Sequence, residues 1–190
     1  MQIILASTSP RRRQLLTEAG YAFHAVSPKL DEAAFRRTAP DTRGYAEELA
    51  LAKARSVAPD FPDALVVGAD TICDLDGEVI GKAAGAREAE QITRRLFSKP
   101  HRVITGLALI RLCDNIEIVQ SDVTTVYPRK LTEAQIAEHV AGGGWEGKAG
   151  AYAIQEVGDA FVERIEGSFT NVMGMPMELF QRLVSDLHRA

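Results

Sequence analysis

Strand-like and helix-like segments alternate along this chain, yet some neighbouring strands are joined directly by short turns. Asp76-Gly77 is a dipeptide typical of a hairpin turn, and Asp114-Asn115 lies between two long strand-like runs. Strands separated by a helix usually pair in parallel, whereas the two strands of a hairpin pair antiparallel. The pattern therefore predicts an α/β layer structure with a mixed sheet.

Apolar periodicity and helix-end signals give the approximate bounds of these segments. In the first helix, Ser9 is the predicted N-cap, Pro10 is the first helical residue and Gly20 ends the helix. Strands are predicted at 2–6, 21–26, 64–73, 101–113, 116–127, 151–155 and 160–165. Helices are predicted at 10–19, 43–58, 86–97, 132–141 and 176–188. A length of 190 residues without a repeat or a long linker predicts a single domain.

The composition argues against several classes of protein. The net charge is −4, so no overall positive field would hold the chain on nucleic acid or on an anionic membrane. No apolar run approaches the roughly 20 residues of a membrane helix, and the N-terminus does not have the pattern of a signal peptide. Two cysteines, Cys73 and Cys113, are too few for a disulfide framework, and we interpret them as reduced core residues of a cytoplasmic protein.

Three successive arginines open the first predicted helix, in the stretch LASTSPRRRQLL. Cations in a first helical turn oppose the helix dipole by roughly 0.3–1 kcal/mol each, but the free N–H groups of that turn attract phosphate. Arg11 and Arg12 lie one turn before the apolar pair Leu15 and Leu16, whereas Arg13 points outward. The run indicates a phosphate site, with a solvated basic turn as the alternative.

Asp70 interrupts an otherwise apolar strand, in VVGADTIC, and Gly68 beside it allows a close approach. A carboxylate in a buried strand is costly unless it is paired, binds a metal or faces a cleft. Asp70 is therefore a candidate metal ligand or general base, with a turn-capping aspartate as the alternative. Asp31 and Glu32 are candidates to complete a magnesium site with Asp70, or else belong to a solvated loop.

Three lysines lie among glycine and alanine residues, namely Lys53, Lys82 and Lys148. Together with the arginines they indicate a substrate with several phosphates, although each alone is typical of a protein surface. The segment 142–148 also matches the first seven positions of the P-loop, GxxxxGK[ST]. Ala149 lacks the required hydroxyl and a helix precedes the segment, so we reject that interpretation.

In combination, these pieces resemble the Maf (septum-formation) family of nucleoside triphosphate pyrophosphatases, nearly end to end. The matching segments, in order, are LASTSPRRRQLL, LDE, LAKAR, GADTIC, IGK, HRVITGLAL, WEGKAGAYAIQ and GSFTNVMGMP. The resemblance implies hydrolysis of a nucleoside triphosphate to the monophosphate and pyrophosphate, with a divalent metal, Mg or Mn. It also implies an elongated Maf/ITPase-like α/β fold, in which a long twisted mixed sheet floors a cleft between two lobes, and a homodimer.

The same resemblance assigns roles to particular residues. It implies that Asp70 accepts the proton and, with Glu32, contributes to the metal site. It implies phosphate or active-site contacts for four residues, Ser7, Arg12, Lys53 and Lys82.

Three further positions, Arg11, Thr71 and Gln155, match the branch of the family that acts on dTTP and UTP. A glutamine amide offers both a donor and an acceptor to the edge of thymine or uracil. The alternatives are a 7-methyl-GTP pyrophosphatase and, outside enzymes, a nucleotide-sensing regulator of cell division.

Overall fold

A seven-stranded mixed sheet forms the centre of the fold in the computed structural model, which describes residues 1–151 and 161–189. Its strands are β1 (Ile3–Ala6), β2 (Phe23–Val26), β3 (Leu65–Leu75), β4 (Glu78–Ile80), β5 (His101–Arg111), β6 (Ile116–Pro128) and β7 (Val162–Glu166). The strand order is β2-β1-β3-β5-β6-β7, and β4 pairs with β3. The β1–β2 and β1–β3 pairs are parallel and the others are antiparallel, so the predicted mixed sheet is confirmed.

Helices cover both faces of the sheet. They are α1 (Pro10–Glu18), α2 (Thr42–Arg55), α3 (Ala86–Leu96), α4 (Glu133–Ala141), α5 (Phe169–Val172) and α6 (Met177–Leu187). Helices α1 and α6 pack on one face through Leu16 and Phe180, and α2 packs on the other through Ala50 and Ala54. None of the helices in the described ranges is long and apolar enough to cross a membrane.

Several sequence predictions need correction. Helix α2 ends at Arg55 instead of continuing to residue 58, and a 3-10 turn follows at Ala58–Asp60. Pro59 cannot donate the hydrogen bond that a continuing helix needs at its position. The sequence pattern does not predict helix α5, because this helix has only four residues and no apolar period. Cys73 is buried as expected but Cys113 is exposed, and the predicted strand at 151–155 lies largely outside the described residues.

Strand β3 is continuous, not broken at Gly68 and Asp70, but its edge toward β1 has a gap. Strand β1 pairs with Leu65–Gly68, and β4 pairs with Cys73–Leu75. Between these two partners, residues 69–72 have no neighbouring strand on that edge within the described chain. Ligands in α/β sheets bind outside the carboxyl ends of strands, and the carboxyl end of β1 opens into this gap.

Two glycines let α2 approach the sheet closely. A Cβ atom at Gly68 would lie 2.2 Å from the Ala50 carbonyl oxygen, and one at Gly106 would lie 2.2 Å from the Ala46 carbonyl oxygen. The close approach at Gly68 is therefore made by the α2 backbone. It brings the last turn of α2, which carries Lys53, beside the gap in β3.

We predict that Gly106→Ala lowers the free energy of unfolding by about 1–3 kcal/mol, because the new methyl group would overlap the α2 backbone. Gly81→Ala is the control, since a Cβ atom there meets nothing within 4 Å and Gly81 does not have a positive φ. Urea denaturation of both variants measures the difference. Equal stability of the two would contradict the packing described for α2.

Candidate active site at the gap in strand β3

A cavity of about 1160 Å3 lies over the gap in β3. It is lined by the start of α1, the middle of β3, the end of α2 and the loops around residues 32, 82 and 148. Its lining includes Ser7, Arg11, Arg12, Glu32, Lys53, Asp70, Thr71 and Lys82, together with Lys148. The other acidic candidate, Asp31, does not line it, because its Oδ1 caps a turn by accepting from Ala33 N and Ala34 N. Gln155 lies outside the described residues.

Lys53 joins the two predicted carboxylates on the α2 face of the sheet. Its Nζ atom lies 2.5 Å from Asp70 Oδ1 and 2.7 Å from Glu32 Oε1. The side chains of Lys53 and Asp70 are only 8% and 10% exposed, whereas Glu32 is 47% exposed. Burial acts to raise the pKa of Glu32. The nearby positive charges of Lys53, Lys82 and Arg12 have a larger effect, so this pKa lies below its ordinary value. Asp70 is thus a charge-paired group at the floor of the cavity.

The two carboxylates also suit a hard divalent cation. Mg²⁺ is commonly held by one or two carboxylates, with waters and substrate phosphates completing its shell. Glu32 Oε2 and Asp70 Oδ2 accept no hydrogen bond from residues 1–151 or 161–189, so each has an oxygen available. In that same part of the chain, no group of three or more His, Cys, Asp and Glu side chains is placed to hold a metal.

Arg12 lies on the opposite face of β3 and contacts three acceptors. Its Nε donates to the Gly174 carbonyl oxygen at 2.7 Å, and its Nη atoms donate to Ser7 Oγ and Thr71 Oγ1, each at 3.2 Å. Burial lowers the pKa of Arg12, while Asp70 and Glu32 act to raise it. As predicted from helical phase, Arg13 is exposed and Arg12 faces inward.

Ser7 is placed to act as a donor toward the cavity. Its Oγ accepts hydrogen bonds from Ser9 N at 3.1 Å and from Arg12. No acceptor for its own hydroxyl proton lies in the described ranges. Ser9 begins α1 as predicted, but its side chain makes no capping hydrogen bond, so the first turn keeps free backbone N–H groups.

The remaining wall is cationic. Lys82 pairs with Ala149 in an isolated β-bridge, and Gly150 N donates to the Gly81 carbonyl oxygen at 3.1 Å. These contacts hold Lys148 at the wall of the cavity. Burial and the nearby Arg11 guanidinium lower the pKa of Lys148. Within the described chain, none of Arg11, Lys82 and Lys148 forms an ion pair, so this wall presents uncompensated positive charge.

Sequence reasoning missed three contributors. Tyr45 lines the cavity, and burial together with Asp70 and Glu32 raises its pKa. Thr105 and Gly174 are hydrogen-bonded to residues of the site. Nothing in the local pattern distinguishes Tyr45 or Thr105 from ordinary residues of an amphipathic helix and a buried strand, whereas Gly174 lies in the family-like segment GSFTNVMGMP.

Comparisons with known proteins show which family and fold this chain shares. The Maf-like protein family matches residues 2–187. A dTTP/UTP pyrophosphatase of Symbiobacterium thermophilum is 43% identical over 176 residues, covering 93% of this chain and 89% of that protein. A dTTP/UTP pyrophosphatase of Elusimicrobium minutum is 39% identical and covers 98% of each chain. A solved HAM1 protein from Coxiella burnetii covers 100% of both chains with a TM-score of 0.58 at 14% identity, which shows a shared fold.

We predict that Lys53→Met lowers the free energy of unfolding at pH 7 by about 3–5 kcal/mol, because it leaves Asp70 buried without its counter-charge. Adding Asp70→Asn should recover part of this loss. The control is Lys29→Met, since Lys29 pairs with Asp60 at 2.7 Å on the surface and is expected to contribute less than about 1 kcal/mol. Similar losses for the two single variants in urea denaturation would count against a buried ion pair.

Proposed function

The chain belongs to the Maf-like protein family, and from this we propose that it is a nucleoside triphosphate pyrophosphatase that hydrolyses dTTP and UTP. The relatives named dTTP/UTP pyrophosphatase support this substrate choice. The single observation that carries the proposal is the cavity at the gap in β3. It combines a buried carboxylate with cations that have no acidic partner in the described chain, which is the charge pattern a triphosphate needs.

Phosphate binding follows from the donors that face the cavity. The first turn of α1 supplies backbone N–H groups and Ser7 supplies a hydroxyl proton. Arg12, Lys82 and Lys148 supply positive charge from three sides. These groups would neutralise the negative charge that develops on the pyrophosphate leaving group, and such electrostatic stabilisation dominates catalysis in most phosphoryl transfers.

The chemistry centres on Asp70. A water molecule attacks the α-phosphorus and passes a proton to Asp70 Oδ2, the oxygen that is not bonded to Lys53. The bond between the α-phosphorus and its bridging oxygen breaks, and its electron pair leaves with pyrophosphate. Lys53 holds the carboxylate in place for this step, and the family resemblance implies a phosphate or active-site contact for Lys53. Its ammonium donates to Asp70 and Glu32, and its third proton remains for a substrate phosphate.

A divalent cation, Mg or Mn, is part of the proposal. Glu32 would hold it through Oε2, and Asp70 would hold it through a bound water, which leaves Asp70 Oδ2 free to accept the proton. When bound, such an ion supplies charge neutralisation of the phosphates and lowers the pKa of a bound water.

Base selection is proposed for Arg11 and Gln155. Arg11 lines the cavity at its outer wall and forms no ion pair within the described residues. Gln155 enters through the family resemblance alone. The family resemblance also implies base selection for Thr71. However, the Thr71 hydroxyl accepts a hydrogen bond from Arg12, and this contact favours a role in orienting Arg12.

We further propose a single domain over residues 1–190 that acts as a cytoplasmic homodimer. Two separate apolar clusters, one around Leu16 and Phe180 and one around Leu96 and Val126, support the two lobes that the family resemblance implies. Both cysteines are free thiols, which agrees with a reducing compartment. Sedimentation velocity tests the dimer.

A pyrophosphate-release screen with Mg²⁺ or Mn²⁺ tests the function. The substrates are UTP, dTTP and 7-methyl-GTP, and calorimetric binding is measured in parallel. Release from UTP and dTTP in preference to 7-methyl-GTP is the expected result. Preference for 7-methyl-GTP would reassign the substrate, and binding without turnover would indicate a nucleotide sensor.

We predict that Asp70→Asn lowers kcat for UTP by about 10²–10⁴-fold, because it removes the proton acceptor while keeping the shape of the side chain. UTP affinity should change far less. The control is Asp63→Asn at an exposed position, which should leave both quantities unchanged. Full activity of Asp70→Asn would exclude Asp70 as the general base.

The three arginines should separate in function. We predict that Arg12→Ala lowers kcat/KM by about 10²-fold for every nucleotide. Arg11→Ala should instead change the ratio of kcat/KM between UTP and 7-methyl-GTP by about tenfold. Arg13→Ala is the control, because Arg13 is exposed and does not line the cavity. A uniform loss in all three variants would mean that the run acts only through its total charge.

A further inference from the structure

A hydrogen-bond chain leads from Arg12 across strands β3 and β5 to helix α5. Arg12 Nη2 donates to Thr71 Oγ1 at 3.2 Å, and the hydroxyl oxygens of Thr71 and Thr105 lie 2.9 Å apart. Thr105 Oγ1 donates to the carbonyl oxygen of Asn171 at 2.9 Å. The two threonines are direct partners in the β3–β5 register, which brings their side chains together on one face. Thr105 and Asn171 are fully buried, so the inner end of the chain is closed to solvent.

The inner end fixes the direction of every hydrogen bond in the chain. A carbonyl oxygen only accepts, so the proton of Thr105 is donated to Asn171. Thr105 Oγ1 must then accept the proton of Thr71, and Thr71 Oγ1 accepts from Arg12. A hydroxyl has one proton, so Thr71 has none left to donate to a nucleotide.

The turn that carries Asn171 is itself held rigidly. Asn171 Nδ2 donates to the Val103 carbonyl oxygen at 3.0 Å and to Thr124 Oγ1 at 2.9 Å, which ties the turn to β5 and β6. The same turn supplies the Gly174 carbonyl oxygen that accepts from Arg12 Nε, and Gly174 N donates to the Asn171 carbonyl oxygen at 2.9 Å. Two of the three acceptors of Arg12 therefore depend on this one turn, directly or through the threonines.

We propose that Thr105 and Asn171 are positioning residues that hold the Arg12 guanidinium toward the substrate phosphates, with Thr71 as the link. An arginine side chain loses much rotamer freedom when it binds a ligand, and a guanidinium fixed beforehand avoids that loss. This inference rests on the proposed function only in taking the ligand of Arg12 to be a nucleoside triphosphate. It also changes the role of Thr71 from selecting the base to orienting Arg12.

Three substitutions and one control substitution test the hydrogen-bond chain. Thr105→Val removes the relay hydroxyl with almost no change in volume and should lower kcat/KM for UTP by about three- to tenfold. Thr105→Ser keeps the hydroxyl, so its kcat/KM for UTP should stay close to that of the unaltered protein. The matched control is Thr93→Val, because Thr93 is equally buried and donates to one carbonyl, Ala89 O at 2.7 Å, but lies in α3. Thr71→Val should reduce UTP and 7-methyl-GTP turnover by the same factor.

A double-mutant cycle with Arg12 distinguishes positioning from general stability. In an Arg12→Ala background, Thr105→Val should cause no further loss, since no guanidinium remains to be held. The inference would be overturned if Thr105→Val lowered kcat/KM equally in both backgrounds, or lowered it in neither. It would also be overturned if Thr71→Val affected only one nucleotide. The same double-mutant cycle can be measured with UTP affinities from calorimetry, and these do not depend on turnover. A protein that binds UTP without releasing pyrophosphate would contradict the proposed function, and the calorimetric cycle would still decide the positioning role.

Discussion

The contact between helix α2 and strand β3 is the constraint on which the site depends. Gly68 and Gly106 have no side chains, so the α2 backbone rests directly on the sheet. Only at this short distance does Lys53, in the last turn of α2, reach Asp70 at 2.5 Å. A carboxylate inside an apolar strand would otherwise be buried without a counter-charge, at a cost of several kcal/mol. The same packing therefore makes Asp70 tolerable to the fold and presents it to the cavity.

The gap in β3 explains how one cavity uses both faces of a sheet. Successive residues of a strand point to opposite faces, so Asp70 faces α2 whereas Thr71 faces α1 and α5. Strand β1 ends at Ala6, opposite Gly68, and β4 ends at Ile80, opposite Cys73, so neither covers the edge between them. Lys53 and Arg12 approach that uncovered edge from opposite sides. A triphosphate bound at this edge would contact both Lys53 and Arg12. Its negative charge would neutralise the positive charge of the arginines at the start of α1.

Much of this arrangement can be predicted from the sequence, because it depends on local patterns. The strand–turn–helix from Ile3 to Glu18 follows closely from its apolar run, Pro10 and the phase of its arginines. The structure brings Asp70, Glu32 and Lys53 together in the cavity, and the roles that the resemblance implies for them stay predictions. The threonine chain cannot be predicted in this way, since it depends on the register that places Thr105 opposite Thr71. Register is set by distant strand pairing, and no single segment specifies it.

We propose that this cavity directs water to the α-phosphorus of a pyrimidine nucleoside triphosphate. Hydrolysis of UTP in H2¹⁸O, followed by ³¹P NMR or mass spectrometry of the products, tests it most directly. Attack at the α-phosphorus predicts one ¹⁸O atom in UMP and none in pyrophosphate. Label in pyrophosphate would place the attack on the β-phosphorus, and label in released inorganic phosphate would place it on the γ-phosphorus. Either result would contradict attack at the α-phosphorus.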